Sequence, residues 1–152
     1  MARLLVVHHT ASPALEELLE AVLAGARTDE ITGVEVDVRP ALAATASDVL
    51  AADGFVLGTP ANLGYMSGAL KHFFDQIYYP CLEATRRRPF GVYLHANNDA
   101  TGALRALDTI TAGLQWRAAQ APLVVAGDPR PGDLDAAREL GGALAAGLTL
   151  DG

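Results

Sequence analysis

The sequence is poor in cysteine, positive charge and long apolar runs, and each shortage excludes a class of protein or site. Cys81 is the single cysteine among 152 residues, which rules out an intramolecular disulfide framework and a cysteine-based metal cluster. Eleven lysines and arginines accompany 18 aspartates and glutamates, and the net charge of −7 opposes nucleic-acid binding through phosphate neutralisation. No apolar run approaches the ~18 residues that indicate a membrane span. We therefore expect neither a nucleic-acid partner nor a membrane span.

Apolar residues are abundant, at 51% of the chain, so the sequence can bury a substantial core. The length suits one domain, which we expect to occupy residues 1–152. The first residues, MARLLVV, are too short for a signal peptide and predict a first strand. A cytoplasmic location is the resulting expectation.

Five strand-like apolar runs alternate with five helical patterns, which predicts an α/β fold with parallel strands and right-handed crossovers. The predicted strands are 4–8, 33–38, 54–57, 89–95 and 119–126. The predicted helices are 13–26, a short helix within 41–52 with Ser47 as its N-cap, 66–84, 101–114 and 134–148. The pair Gly141-Gly142 is expected to weaken the last helix.

The most informative segment is residues 58–75, GTPANLGYMSGALKHFFD, a Gly- and Asn-bearing loop between a buried strand and a helix. It resembles the signature of the flavodoxin-like NAD(P)H-dependent FMN reductase and quinone reductase family, in which this loop wraps the flavin ring. The resemblance implies a flavodoxin-like three-layer α/β/α sandwich with a five-stranded parallel sheet in the order 2-1-3-4-5. It also implies FMN as cofactor, with NADH or NADPH as reductant.

In that order, strands 1, 3 and 4 are neighbours, and the three loops with unusual polar or Gly content follow these same strands. The resemblance places FMN contacts in all three loops. The first loop supplies His9, Thr10, Ser12, Pro13 and Ala14; the second supplies Thr59, Pro60, Ala61, Asn62, Leu63, Gly64, Tyr65 and Met66; the third supplies His95, Ala96, Asn97, Asn98 and Gly102.

The first loop predicts an anion site, because small hydroxylated residues at a helix start leave backbone amides free to bind a flavin phosphate. The alternative is a plain helix start, with Ser12 as N-cap and Pro13 at the first helical position. The loop departs from the family pattern because it lacks glycine. The adjacent His8 and His9 point to opposite faces of a strand, which argues against a shared metal ion.

In the second loop, Asn62 offers the donor and acceptor that the flavin pyrimidine edge requires, and Gly64 permits close backbone approach. Leu63 and Tyr65 predict an apolar wall, with surface packing as the alternative. Lys71 and Asp75, one helical turn apart, predict an ion pair rather than a catalytic pair.

The third loop, HANNDATG, is typical of turns and helix caps and, by the resemblance, lies beside the flavin. His95 at its start is a candidate proton source for the reduced flavin.

The leading functional hypothesis is an FMN-dependent oxidoreductase that passes electrons from NAD(P)H to a quinone, a free flavin or a similar small acceptor. The alternatives are a one-electron carrier that docks on a redox protein, and a flavodoxin-like module that binds no flavin. No protein acid, base or nucleophile stands out, because the flavin would carry the chemistry.

Two further features leave alternatives open. The cluster 86–88, RRR, follows a predicted helix C-terminus, where cations complement the helix dipole, and its alternative role is to bind a nicotinamide-nucleotide phosphate. Trp116, Tyr78 and Tyr79 are candidates either for the core or for the interface of a homo-oligomer.

Overall fold

The computed structural model describes residues 1–150, which form one sheet flanked by helices. The strands are β1 (Ala2–His8), β2 (Val34–Pro40), β3 (Gly54–Asn62), β4 (Tyr65–Met66), β5 (Pro89–Ala96), β6 (Arg117–Ala118) and β7 (Leu123–Ala126). The helices are α1 (Pro13–Ala26), α2 (Ala46–Ala51), α3 (Gly68–Cys81), α4 (Thr101–Leu114) and α5 (Pro131–Leu150).

The sheet has the strand order β2-β1-β3-β5-β6, with β7 also paired to β5, and all of these pairs are parallel. This confirms the flavodoxin-like order, although the described sheet has seven strands instead of five. One extra strand is the two-residue β6, which lies just before the predicted fifth strand. Of that predicted strand, 119–126, only β7 forms, because residues 119–122 are irregular and leave a gap between β6 and β7. Pro122 lies in that gap and has no N–H to donate to a ladder. The other is β4, which pairs antiparallel with the end of β3.

Side chains alternate between the two faces of the sheet and build two cores, which confirms the three-layer sandwich. Leu5, Phe55 and Leu57 face α2, α3 and α4. Leu4 and Val56 on the same strands face α1 and α5. Because both faces are covered, the central strands are apolar in nearly every position.

Trp116 belongs to the core, so it is not available as an interface residue. Its ring stacks on Phe55 with 4.1 Å between centroids and 16° between planes. Its indole Nε1 donates to the hydroxyl oxygen of Thr85 at 2.9 Å, which satisfies the one polar group that burial removes from water. Cys81 is also fully buried, whereas Tyr79 is 81% exposed.

Three helix starts differ from the sequence prediction, and each difference has a local cause. The N-cap of α2 is Thr45 in a capping box with Asp48, not Ser47. Helix α3 begins at Gly68 after the N-cap Ser67, because Met66 is already used by β4. Helix α5 begins at Pro131, three residues earlier than predicted, with proline at the first helical position.

The basic cluster 86–88 lies at the amino-terminal end of β5, where Arg88 joins the C-terminal end of α2 to the turn that follows α3. Its guanidinium donates to the carbonyls of Val49, Leu50 and Ala52 at 3.2, 3.1 and 2.5 Å, and to the carbonyl of Ala84 at 3.1 Å. The first three carbonyls belong to the C-terminal end of α2 and its cap, where a helix leaves carbonyls without partners inside the helix, and Ala84 lies in the turn after α3. Arg88 therefore has a structural role, chiefly at the end of α2 instead of at the helix that precedes it.

Glycines set the distance between α1 and α5. A Cβ atom built on Gly141 would lie 2.0 Å from the carbonyl oxygen of Val22, and one on Gly25 would lie 1.9 Å from the carbonyl oxygen of Arg138. The two helix backbones therefore meet where no side chain intervenes. Gly141 lowers helix propensity, as the sequence indicated, but it permits this close packing.

Strands β3 and β4 form a hairpin with the two-residue turn Leu63-Gly64, closed by the pair Asn62 and Tyr65. Both turn residues have positive φ, 50° at Leu63 and 77° at Gly64, as a type I′ turn requires. Glycine adopts this conformation freely, but leucine does not. The side chain of Leu63 is fully exposed, so no packing within the described chain compensates for the strain.

Within residues 1–150, none of the helices combines the length and the apolar character that crossing a membrane requires.

We expect Gly141→Ala to lower the free energy of unfolding by about 1–3 kcal/mol, because the new methyl group pushes α5 away from α1. Gly147 is the matched control in the same helix, with nothing within 4 Å of a built Cβ atom. Gly147→Ala should raise stability by about 0.5–1 kcal/mol. Urea unfolding measures both, and equal effects of the two substitutions would contradict the packing argument.

Leu63→Asn should raise the free energy of unfolding by about 1 kcal/mol, since asparagine tolerates the left-handed conformation and Asn-Gly suits a type I′ turn. The control is Leu42→Asn, at an exposed leucine without positive φ, which should stay within about 0.5 kcal/mol of the unmodified chain. A Leu63→Asn variant no more stable than the Leu42→Asn variant would show that the turn stores no strain.

Candidate functional site

The three polar loops converge as the strand order requires. They leave the carboxyl ends of β1, β3 and β5, which are adjacent in the sheet. The amide of His9 donates to the carbonyl of Gly58 at 2.9 Å, which ties the start of the first loop to β3. Ligands of open α/β sheets bind at this edge, where the direction of the connections reverses between β1 and β3.

The second and third loops touch each other and enclose a cavity. A Cβ atom built on Gly102 would lie 1.9 Å from the carbonyl oxygen of Gly64, so only glycine at position 102 allows the hairpin to reach α4. The cavity has a volume of about 630 Å³, within the usual range for a small-molecule site. Its lining is formed by Ala61, Asn62, Leu63, Gly64, Asn97, Asn98, Asp99 and Gly102.

The beginning of the second loop is internal scaffolding. Thr59 is fully buried, and its hydroxyl accepts from the Ser67 amide at 3.0 Å and donates to the Pro60 carbonyl at 2.8 Å. Ser67 then caps α3 by accepting from the Leu70 amide at 3.1 Å. Pro60 and Met66 are buried as well. These predicted site residues therefore frame the loop from beneath, with their side chains turned into protein.

The tip of the second loop faces outward. Asn62, Leu63 and Gly64 are exposed at the cavity, and Tyr65 is 39% exposed beside them. Ala61 is half-buried and packs against the core. The tip therefore offers one amide side chain, one apolar side chain and open backbone to a ligand.

In the third loop, Asn97 and Asn98 are exposed at the cavity, and Asp99 was missed by the sequence analysis. The Asp99 carboxylate accepts from the amide and the hydroxyl of Thr101, at 3.0 and 2.6 Å. The hydroxyl hydrogen bond is the main reason why the pKa of Asp99 lies below its usual value. The signal was an aspartate two residues before a helix start, which the sequence analysis interpreted only as part of a turn or helix cap.

His95 and Ala96 lie away from the cavity lining. Ala96 is buried in the core next to α4. The His95 Nε2 lies 2.8 Å from the carbonyl oxygen of Gly127, and a bond to a carbonyl requires the proton on that nitrogen. The ring is thereby held against the turn that follows β7.

The first loop lies at the same edge but outside the lining of this cavity. Ser12 caps α1 by accepting from the Leu15 amide at 3.3 Å, with Pro13 at the first helical position. His9, Thr10 and Ala14 are half-buried beside it. Within residues 1–150, the backbone amides of Thr10, Ala11 and Ser12 have no protein acceptor. Free amides at a helix start are suited to an anion.

No lysine or arginine lies in the first loop, and His8, at the end of β1 before it, adds little charge. The Nδ1 atom of His8 lies 2.7 Å from the Thr10 hydroxyl. Burial, and secondarily the neighbouring His9, lower the pKa of His8, so that its ring is neutral near pH 7. Any anion bound here would depend on backbone and hydroxyl donors.

Other features lie outside this edge. Arg86 and Arg87 line a cleft at the amino ends of the strands, on the order of 20 Å away along the eight residues of β5. They lie at the opposite end of β5 from the three loops. Lys71 and Asp75 form the predicted exposed ion pair at 2.5 Å. In residues 1–150, no group of three histidine, cysteine or acidic side chains is placed to hold a metal ion.

Comparisons with known proteins agree with this architecture. A flavodoxin of Aquifex aeolicus is 39% identical over 77 residues, which is 51% of this chain and 40% of that protein. An NAD(P)H dehydrogenase (quinone) of Acidithiobacillus ferrooxidans is 30% identical over 96 residues, which is 50% of this chain and 47% of that protein. The chain thus spans less than half the length of either relative.

Among solved structures, a flavodoxin, WrbA-like protein from Agrobacterium tumefaciens superposes with a TM-score of 0.78 over 99% of both chains, at 21% identity. This likeness establishes the shared fold.

A family model described as NADPH-dependent FMN reductase matches residues 8–129. That span contains the ends of β1, β3 and β5 and all three loops. Membership implies FMN as the cofactor and a flavin-linked redox role. The chain belongs to the NADPH-dependent FMN reductase family.

Proposed function

We propose that this chain binds FMN across the three loops and acts as an oxidoreductase, taking electrons from NADH or NADPH and delivering them to a small acceptor such as a quinone or a free flavin. The observation that carries the proposal is the cavity closed by Gly64 and Gly102 at the carboxyl edge of the sheet, beside the free amides of the first loop. The cavity suits the aromatic ring of FMN, and the free amides suit its phosphate.

In this proposal, the isoalloxazine ring occupies the cavity. The side-chain amides of Asn62, Asn97 and Asn98 supply donors and acceptors at its lining, and the backbone at Gly64 offers close approach. Thr59, Pro60, Met66 and Ala96 hold these groups from below. The phosphate end of FMN lies toward the first loop at the start of α1, formed by His9, Thr10, Ser12, Pro13 and Ala14.

Bound FMN supplies the electron-transfer chemistry, accepting electrons from the nicotinamide nucleotide and passing them to the acceptor. The protein's task is to bind, orient and shield. Asp99 is ionised and held by Thr101, so it adds negative charge at the cavity and donates no proton. His95 is fixed through Nε2, and its Nδ1 is the remaining ring nitrogen that could exchange a proton with solvent.

Access to the cavity favours an enzyme. A nicotinamide ring has to stack on the flavin with reacting atoms about 3–3.5 Å apart. The hairpin tip carries two sizeable side chains, Leu63 and Tyr65, and both are exposed. The rest of the lining is small or amide-bearing, which leaves room for a second planar ring.

A one-electron carrier is the second candidate. The net charge of −7 suits docking to a basic redox partner, and one relative is named a flavodoxin. A module that binds no flavin is supported only by the absence of glycine from the first loop. The free backbone amides of that loop oppose this candidate, because they can still bind an anion.

FMN should bind with a dissociation constant of about 1 µM or tighter, which corresponds to a binding free energy of roughly 8 kcal/mol.

Gly64→Val should weaken FMN binding at least about tenfold, because the valine side chain enters the cavity. Gly33→Val is the matched control: both glycines have positive φ, 77° and 81°, and open space around a built Cβ atom. Both variants lose stability through backbone strain, but only Gly64→Val should lose FMN. Quenching of flavin fluorescence measures the affinity.

The absence of quenching in the unmodified protein at tens of micromolar would refute the proposed cofactor. Equal FMN affinity in the two folded valine variants would place the ring elsewhere.

Under anaerobic conditions, NADH or NADPH should bleach the visible absorbance of the FMN-loaded protein within seconds. Stopped-flow absorbance with each nucleotide makes the measurement, and dithionite provides the fully reduced reference. A carrier would instead be reduced by dithionite and stay unreduced with both nucleotides. That result would favour a docking protein over an enzyme.

A further inference from the structure

The hydroxyl of Tyr93 is the one buried side-chain polar atom without a hydrogen-bond partner in residues 1–150. The residue lies in the middle of β5 and is 0% exposed. A buried donor without a partner is costly, and a phenylalanine would fill the same space without that cost. Burial is the main reason why the pKa of Tyr93 is raised, with the Glu16 carboxylate second, so the group keeps its proton and remains a donor.

The direction of the ring is fixed by Gly58. In the sheet, Tyr93 is opposite Gly58 of β3, and Gly58 is opposite His8 of β1. A Cβ atom built on Gly58 would lie 2.0 Å from Cζ and 2.2 Å from the hydroxyl oxygen of Tyr93. The ring therefore crosses over β3 toward β1, on the face that α1 covers. Glycine at position 58 is what lets it pass.

The hydroxyl thus lies over Gly58, in the strand that pairs with the end of β1, and on the face that α1 covers. The free amides of Thr10, Ala11 and Ser12 lie in that loop, and α1 is 14 residues long, with the positive end of its dipole there. Glu16, the nearby acid, is exposed to solvent. A protonated hydroxyl, backbone amides and a helix dipole form a donor set that suits an anion, in a loop that contains no lysine or arginine.

We propose that Tyr93 is a phosphate-end binding residue: its hydroxyl donates to a phosphate oxygen of the bound flavin nucleotide, directly or through one bridging water. This inference rests on the proposed FMN binding and adds to it a residue from the third of the converging strands. It assigns a use to a hydroxyl that packing alone does not explain.

The test compares FMN with riboflavin, which has the same ring and no phosphate. Tyr93→Phe should weaken FMN binding at least about tenfold, the loss expected for one hydrogen bond to a charged group. Riboflavin affinity should stay within about twofold, and the thermal midpoint of the flavin-free protein should be unchanged or higher. Tyr78→Phe is the matched control, because that hydroxyl lies against Gly113 in the other layer; both affinities should be unchanged.

Three results would overturn the inference, and they are distinguishable. If Tyr93→Phe binds FMN as tightly as the unmodified protein does, the hydroxyl has no part in binding. If FMN and riboflavin weaken equally, Tyr93 acts through packing. If the unmodified protein binds neither flavin, the proposed function fails, and this inference fails with it.

Discussion

The parallel pairing of β3 with β1 on one side and β5 on the other is the interaction on which the site depends. Residues 54–60 of β3 are buried on both faces, so this strand can lie only in the centre of the sheet. Once it lies there, the ends of β1, β3 and β5 are adjacent, and the three polar loops share one edge. The extension of β3 beyond the sheet then carries the hairpin outward. The position of the cavity follows from the burial of a single strand.

Glycine residues determine how closely the helices, the hairpin and one aromatic ring approach neighbouring backbone. Gly25 and Gly141 let α1 and α5 meet backbone to backbone, Gly102 lets α4 meet the hairpin, and Gly58 lets an aromatic ring cross the sheet. None of these four has positive φ, so conformational freedom is not the reason for them. Each is required because another group occupies the volume of its missing side chain. Such positions cannot be distinguished in a sequence from glycines that merely weaken a helix.

The sequence predicted the features that depend on neighbours along the chain. The limits of α1 and α4 match the prediction, since both follow from hydrophobic periodicity and short-range helix signals. The convergence of the three loops at one edge of the sheet was also predicted, because the strand order was adopted from the family resemblance. The sequence predicted five strands where the described sheet has seven, because two-residue pairings such as β4 with β3 leave no periodic signal.

Hydrogen bonds between side chains and partners far apart in sequence could not be predicted either. Arg88 caps α2 across 36 to 39 residues, and Trp116 donates to Thr85 across 31. Thr59 was predicted as a site residue because of its place in a motif, but its hydroxyl is engaged by Ser67 and Pro60. A motif indicates which loop matters. It does not indicate which side chains in that loop face a ligand and which hold the loop in place.

Gly58 and Tyr93 share one volume, and this restricts how the chain can change over time. Alanine at position 58 would collide with the ring, while loss of the aromatic ring at position 93 alone would leave a hole beneath α1. Each of these substitutions alone gives a less stable protein, although the two together could restore the packing. The positions are therefore coupled in evolution: related chains should change both or neither, and a mutational scan of one position will give different results according to the residue at the other.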